Sequence, residues 1–195
     1  MTGIIILAAG SSSRMGQPKQ QLIYREKTLL QLAIQAATGV TDHKLVVVLG
    51  ARHETLLSEV DSKIADIVIN PDWEQGMASS IKTGMTALLT LYPQIDQVLI
   101  MLCDQPFVDT ALLEKLTQAD PQNADVIAAS TYQNTIGVPV LFGKAWFTEL
   151  QALEGEEGAK KMLLKYHDQV IAVPFAQGGV DIDTPEDYKR LLKGL

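Results

Sequence analysis

The residues with most chemical promise are gathered in one short segment, LAAGSSSRMGQPKQQL, running from Leu7 to Leu22. It opens on Leu7, Ala8, Ala9 and Gly10, passes through three serines, and carries two cations, Arg14 and Lys19. Small residues let backbone N–H groups close on an anion, and a succession of such groups makes an anion-binding concavity. Arg14 adds a planar fork that matches phosphate oxygens, and Lys19 a compact point charge. The segment is not a Walker loop, which needs Gly-Lys-Ser/Thr, nor the dinucleotide fingerprint, whose glycines lie closer together. A Gly/Ser surface loop with two solvated cations has the same composition. The position directly after an apolar first strand favours a phosphate loop.

Acidic residues form the second set. Asp104, in Cys103-Asp104-Gln105-Pro106, follows an apolar run, and Asp109 or Thr110 is the better cap for the helix beyond, which leaves Asp104 free. It suits Mg²⁺, which is usually held by one or two carboxylates together with substrate phosphates. Asp181 and Asp183 are two apart, so they share a face if extended; a polar approach to the last helix accounts for one of them equally well. A third set is Gly76, Met77 and Ser80 in NPDWEQGMASSIKTG, where a turn into a helix offers N–H and hydroxyl donors to a base, ribose or phosphate. A plain capped helix after a Pro-Asp turn explains those residues too. His43, His53 and His167 have no metal-ligand spacing. Cys103 is expected to pack as a small hydrophobe, and Trp73 and Trp146 fit core or pocket wall alike.

These sets need a scaffold, and the apolar pattern supplies one. Runs at 4–7, 45–49, 67–69, 98–102 and 126–129 are apolar throughout, as strands covered on both faces are. Between them, Leu29 to Ala37, Ile81 to Leu89 and Leu112 to Leu116 are spaced as helices. Strand and helix in alternation predict an α/β fold: a mostly parallel central sheet with helices on both faces and ligands beyond the strands' carboxyl ends. Farther on, 137–142 and 170–173 read as strands and 146–153 and 159–166 as helices. Thr184 then caps a final helix with Pro185 at its first position. Without repeat or linker, residues 1–195 are expected to form a single domain.

Composition excludes several classes. With 16 Lys and Arg against 23 Asp and Glu, the net charge of −7 argues against duplex nucleic acid or an anionic membrane as main partner. One Cys in 195 residues forbids an internal disulfide, and no run approaches the ~20 apolar residues of a membrane span. The opening MTGIIILAAG has no basic residue before its apolar run, unlike a signal peptide. A reducing, cytoplasmic setting is expected.

Five blocks in order, LAAGSSSRMGQPK, NPDWEQGMASSI, MLCDQPF, GVPVLF and DIDTPEDY, span nearly the whole chain and resemble the MobA-like nucleotidyltransferase family, its molybdenum cofactor cytidylyltransferases above all. The resemblance implies a Rossmann-like nucleotidyltransferase fold and Mg²⁺-dependent transfer of CMP from CTP to the phosphate of molybdopterin cofactor, with release of pyrophosphate. By the same carry-over, Leu7, Ala8, Ala9 and Gly10 face base and ribose, while Arg14 and Lys19 hold the triphosphate. Gly76, Met77 and Ser80 line the nucleotide pocket, and Asp104 binds the metal with Asp181 or Asp183. Gly137 and Pro139 are expected on the acceptor side. Ala9 stands where GTP-selective members tend to have Gly, which favours CTP. Where such cytidylyltransferases commonly read Gly-Asp-x-Gly-Ala-Arg, residues 155–160 read GEEGAK, a change expected to bear on the acceptor. A sugar phosphate or methylerythritol phosphate as acceptor, or a non-catalytic nucleotide-binding chaperone that hands cofactor to a molybdoenzyme, are the alternatives.

Overall fold

In a computed structural model the chain is described over residues 1–156 and 158–194. β1 (Thr2–Ala8), buried at every position, leads through the Gly/Ser loop and a small hairpin, β2 (Ile23–Tyr24) and β3 (Lys27–Thr28), into α1 (Leu29–Thr38). β4 (His43–Leu49), the single turn α2 (His53–Leu56), β5 (Asp66–Ile69) and the long α3 (Met77–Leu91) follow, then β6 (Gln97–Leu102) and α4 (Thr110–Thr117). The second half adds β7 (Ile127–Tyr132), β8 (Thr135–Gly143), α5 (Phe147–Gln151), α6 (Gly158–Lys165), β9 (Val170–Pro174) and α7 (Pro185–Leu192). No helix among the described residues is long and apolar enough to cross a membrane.

The seven-stranded sheet has the order β5-β4-β1-β6-β8-β7-β9. Every pairing is parallel except those of β8, which runs antiparallel to both β6 and β7. The expected mostly parallel α/β sheet is therefore present. Alternation along β1 divides the core: Ile4 and Ile6 pack with Leu30 and Ile34 of α1 and Leu113 and Leu116 of α4. Ile5 and Leu7 face Ile81, Met85 and Leu88 of α3 on the other side, with Leu150 of α5 and Met162 of α6 in the same layer. Helix starts follow from their caps. Thr28 and Gln31 form a reciprocal box before α1, and the Asp109 carboxylate accepts the Leu112 N–H at 2.8 Å before α4.

A third, smaller core matters most for function. Met15 and Leu22, from the loop after β1, pack with Leu29, Ile182 and Leu191. This apolar knot, with the Tyr188 hydroxyl donating to the Ile23 carbonyl at 2.8 Å, draws the start of the chain against its end. Thr184 and Asp187 form a second capping box at the head of α7, and the Asp187 carboxylate also accepts the Asp183 N–H at 3.3 Å.

The Thr184 hydroxyl, with help from Arg190, holds the Asp187 carboxyl at about 2. Asp187→Ala is expected to destabilise the protein by about 1 kcal/mol at neutral pH, a few degrees in melting temperature. A depressed carboxyl stabilises above the unfolded-state value of about 4 and loses that contribution as pH falls through the folded value. Urea unfolding should therefore show the difference between parent and variant narrowing between about pH 4 and pH 2.

Candidate functional site

β4 lies on one side of β1 and β6 on the other, so the connections diverge there and a crevice opens beyond the strands' carboxyl ends. Leu7 and Leu102 are paired across β1 and β6, so the Gly/Ser loop and Cys103-Asp104 leave the sheet side by side. The Ile182 N–H donates to the Asp104 carbonyl at 3.0 Å and brings the terminal acidic segment to the same place. Three segments distant in sequence thus meet.

Four charged groups are in contact there. The Lys19 ammonium donates to Asp104 Oδ2 and, at 3.0 Å, to Asp183 Oδ1; Arg14 Nη2 donates to Asp183 Oδ2 at 2.9 Å. Burial would push the Lys19 ammonium down, but the Asp104 and Asp183 carboxylates outweigh it and hold its pKa above the ordinary lysine value. Burial, with Asp104 and Asp183 adding like charge, pushes the Asp181 carboxyl up to about 6. Asp181 is exposed as a whole residue, and the Asp104 and Asp183 carboxylates beside it disfavour its charged form. Desolvation, then the Asp104 charge, pushes the Cys103 thiol up to about 12, and it packs at 3% exposure as the sequence predicts.

Asp104 Oδ1 is buried and has no hydrogen-bond partner among the described residues. An orphaned carboxylate oxygen next to two more carboxylates is a hard-oxygen donor set of the kind that divalent cations take. Asp104 with Asp181 or Asp183 could hold such an ion if Lys19 left the Asp104 and Asp183 oxygens that it bridges. Among the described residues no cluster of three acids, histidines or cysteines is already assembled around an empty centre.

Beside the charges lies a cavity of about 290 Å³. Leu7, Ala8, Ala9, Gly10 and Ser11 line it together with Lys19, and Gly76, Met77 and Ser80 line it from the start of α3. Gly76 has φ +98°, and a Cβ there would lie 2.7 Å from the Gly155 carbonyl oxygen, so both its conformation and its packing call for glycine. The nucleotide-pocket and metal residues named from the sequence therefore line the cavity or stand in or beside the charged cluster at its edge. Gly137 and Pro139 are set apart in β8: Gly137 lies against the Tyr132 hydroxyl, and the buried Pro139 gives its carbonyl to Ser130 Oγ at 2.9 Å.

A model of the MobA-like NTP transferase domain matches residues 4–170. The chain belongs to that family. It is similar to a molybdenum cofactor cytidylyltransferase of Escherichia coli K12, 26% identical over 94% of this chain and 92% of that one. It is also similar to a protein of Paenarthrobacter nicotinovorans named nicotine blue oxidoreductase, 29% identical over 98% of this chain and 96% of that one. Among solved structures it resembles a Mycobacterium tuberculosis H37Rv protein in complex with manganese, with a TM-score of 0.80, 28% identity, and coverage of 100% of this chain and 98% of that one.

Within this family member, sequence reasoning missed several groups. Trp73, which fitted core or wall alike, lines the cavity with Glu74 and Glu156. Glu156 sits beside Gly76, on the pocket side of the 155–160 segment; Glu157 lies outside the described residues. Asn70, 1% exposed at the end of β5, donates its amide to Ser79 Oγ at 2.8 Å and Ser80 Oγ at 3.0 Å. A polar residue between an apolar strand and a proline was its one signal. Gln20, 1% exposed beside Lys19, carried none.

Lys19→Ala leaves Asp104 and Asp183 facing Asp181 without their shared cation. Breaking a largely buried pair by removing one partner costs about 3 kcal/mol. Urea unfolding is expected to show a loss of that order in the single variant, with Lys19→Ala/Asp104→Asn recovering part of it. A double variant as unstable as the sum of both singles would show that the pair is uncoupled.

Proposed function

We propose that this chain is a cytidylyltransferase that moves CMP from CTP to the terminal phosphate of molybdenum cofactor and releases pyrophosphate, with Mg²⁺ as the divalent ion. One observation carries the reading: two cations and three carboxylates meet at the edge of a small-residue cavity, at the sheet's topological switch point. The cavity is near the lower end of the roughly 300–1,000 Å³ usual for small-molecule sites, which suits a base and ribose with the triphosphate leading out towards Lys19. The relative named as a cytidylyltransferase of molybdenum cofactor supports the acceptor, and Ala9 on the cavity wall supports CTP. The relative named as an oxidoreductase does not redirect the reading, because the groups that converge here are charges suited to a triphosphate. The single thiol, Cys103, fits a reducing cytoplasm.

The chemistry follows from charge. A phosphate monoester, with a second pKa of about 6, is largely dianionic at neutral pH and attacks the α-phosphorus without a general base. Repulsion between anions is the obstacle, so catalysis is positioning plus electrostatics. In this reading Lys19 leaves Asp104 for the triphosphate, and Arg14 turns its fork from Asp183 to the phosphate oxygens. Asp104 with Asp181 or Asp183 would then be free to hold the cation, whose positive charge would offset that of the triphosphate and of the leaving pyrophosphate. Ser80, held by Asn70, and the Leu7 to Gly10 backbone orient base and ribose.

Pyrophosphate release by the purified protein with Mg²⁺ and molybdenum cofactor, with CTP, GTP, ATP and UTP supplied separately, tests the reading. Release with CTP is expected, at least tenfold faster than with GTP. Asp104→Ala is expected to abolish it while the circular dichroism spectrum stays that of the parent. Turnover by Asp104→Ala at the parent rate would overturn the metal role. Release only with a sugar phosphate or methylerythritol phosphate would replace the acceptor.

A further inference from the structure

A loop that receives an anion must keep its carbonyl oxygens off the ligand, because each carries partial negative charge where the adjoining N–H carries positive. In this chain the three carbonyls at the turn after β1 are all tied to protein donors. Gln20 Nε2 donates to the Ala8 carbonyl at 2.9 Å and the Gly10 carbonyl at 3.1 Å, and the Ala51 N–H donates to the Ala9 carbonyl at 2.9 Å. Across a planar trans peptide the C=O and the next N–H point in opposite directions. Holding the Gly10 carbonyl on Gln20 therefore turns the Ser11 N–H away from it.

The other end of the same amide reaches farther along the loop. Gln20 Oε1 accepts from the Ser12 hydroxyl at 3.3 Å, and Ser12 Oγ accepts the Lys19 backbone N–H at 3.0 Å. Ser12 has φ +55°, a left-handed conformation that a residue with a side chain keeps when its surroundings hold it. One buried amide thus spans the loop, from the end of β1 to the root of the lysine that meets Asp104 and Asp183.

We infer that Gln20, which borders the cavity with its amide committed to the protein, is a positioning residue for triphosphate binding: it sorts the loop's carbonyls from its N–H groups and sets the root of Lys19. The inference rests on the cavity being a nucleotide site, and it concerns the phosphates first, because the Ser11 N–H and Lys19 lie on their side of the loop. It predicts a loss much larger for CTP than for cytidine, which general loosening of the fold would not produce.

The test is calorimetric titration of CTP and of cytidine into the parent, Gln20→Glu, Gln20→Met and Ser12→Ala. Gln20→Glu keeps the size and the oxygen facing Ser12 but sets an oxygen against the Ala8 and Gly10 carbonyls; Gln20→Met removes the polar atoms. CTP is expected to bind about tenfold more weakly to both, and about threefold more weakly to Ser12→Ala, with cytidine within twofold of the parent throughout. Ser12 is half-buried, so its variant keeps the test decisive if a Gln20 variant does not fold. CTP and cytidine weakened alike, or CTP unchanged, would overturn the role of Gln20. A parent chain that binds CTP no more tightly than cytidine would overturn the nucleotide reading itself, and this is seen before any substitution is made.

Discussion

Three carboxylates, Asp104, Asp181 and Asp183, converge where β6 ends and α7 is about to begin, in a chain that is already net negative. Left alone they repel, and burial of Asp104 makes the repulsion costlier than it would be in water. Lys19 makes the arrangement tenable: its ammonium bridges Asp104 and Asp183, and Arg14 takes the second oxygen of Asp183. Two cations against three carboxylates leave one charge in excess. The excess falls on Asp181, whose carboxyl is the one pushed up to about 6. The same imbalance gives the site its disposition. When free it is paired internally but for that one carboxylate, and in the proposed reaction it would exchange those ion pairs for contacts with a metal–triphosphate complex.

Such a cluster is only as good as the backbone that delivers it. Asp104 arrives just beyond the end of a central strand, β6, whose four middle residues are buried. Lys19 opens a single 3-10 turn in the loop after β1, Asp183 stands in the irregular approach to α7, and the two lie 164 residues apart. The core of Met15, Leu22, Leu29, Ile182 and Leu191 compensates, since it ties the loop after β1 to the segment before α7 by apolar contact rather than by charge. A hydrophobic knot is indifferent to whether the ion pairs beside it are made or exchanged. It can keep the two segments in register while Lys19 changes partner, which an arrangement held by those ion pairs alone would not do.

Much of this was legible in the sequence, for reasons tied to particular residues. Ile4 to Leu7 and Val98 to Leu102 have no polar position to set a solvent face, so they announce central strands, and the loops that follow them announce the site. Thr184-Pro185-Glu186-Asp187 announces a helix start because cap, fixed φ and first-turn acid coincide. The hairpin of Ile23–Tyr24 and Lys27–Thr28 was not legible: its two turn residues, Arg25 and Glu26, adopt positive φ without the glycine or asparagine that usually marks such a turn. Nor were Gln20 and Asn70. A neutral amide reveals its role only through the groups it bonds, and those come from Ala8, Gly10 and Ser12 in one case and from the first turn of α3 in the other.

The segment from Gly155 to Lys160, where the chain departs from the pattern common among the cytidylyltransferases it resembles, takes a different meaning from its place in the fold. Its expected bearing was on the acceptor. The Gly155 carbonyl, however, accepts the Ala78 N–H at 3.1 Å and sits so close to Gly76 that a side chain at Gly76 would run into it, while Glu156 lines the cavity. A carboxylate on that wall accepts hydrogen bonds and repels phosphate, so it suits the base and ribose end and not the triphosphate end. Replacing Asp by the longer Glu at this point extends the acceptor oxygens by one methylene into the nucleotide pocket. The segment thus borders the cavity that Ala9 also lines, and in the proposed reaction the substitution would be felt at the nucleotide pocket as well as on the expected acceptor side.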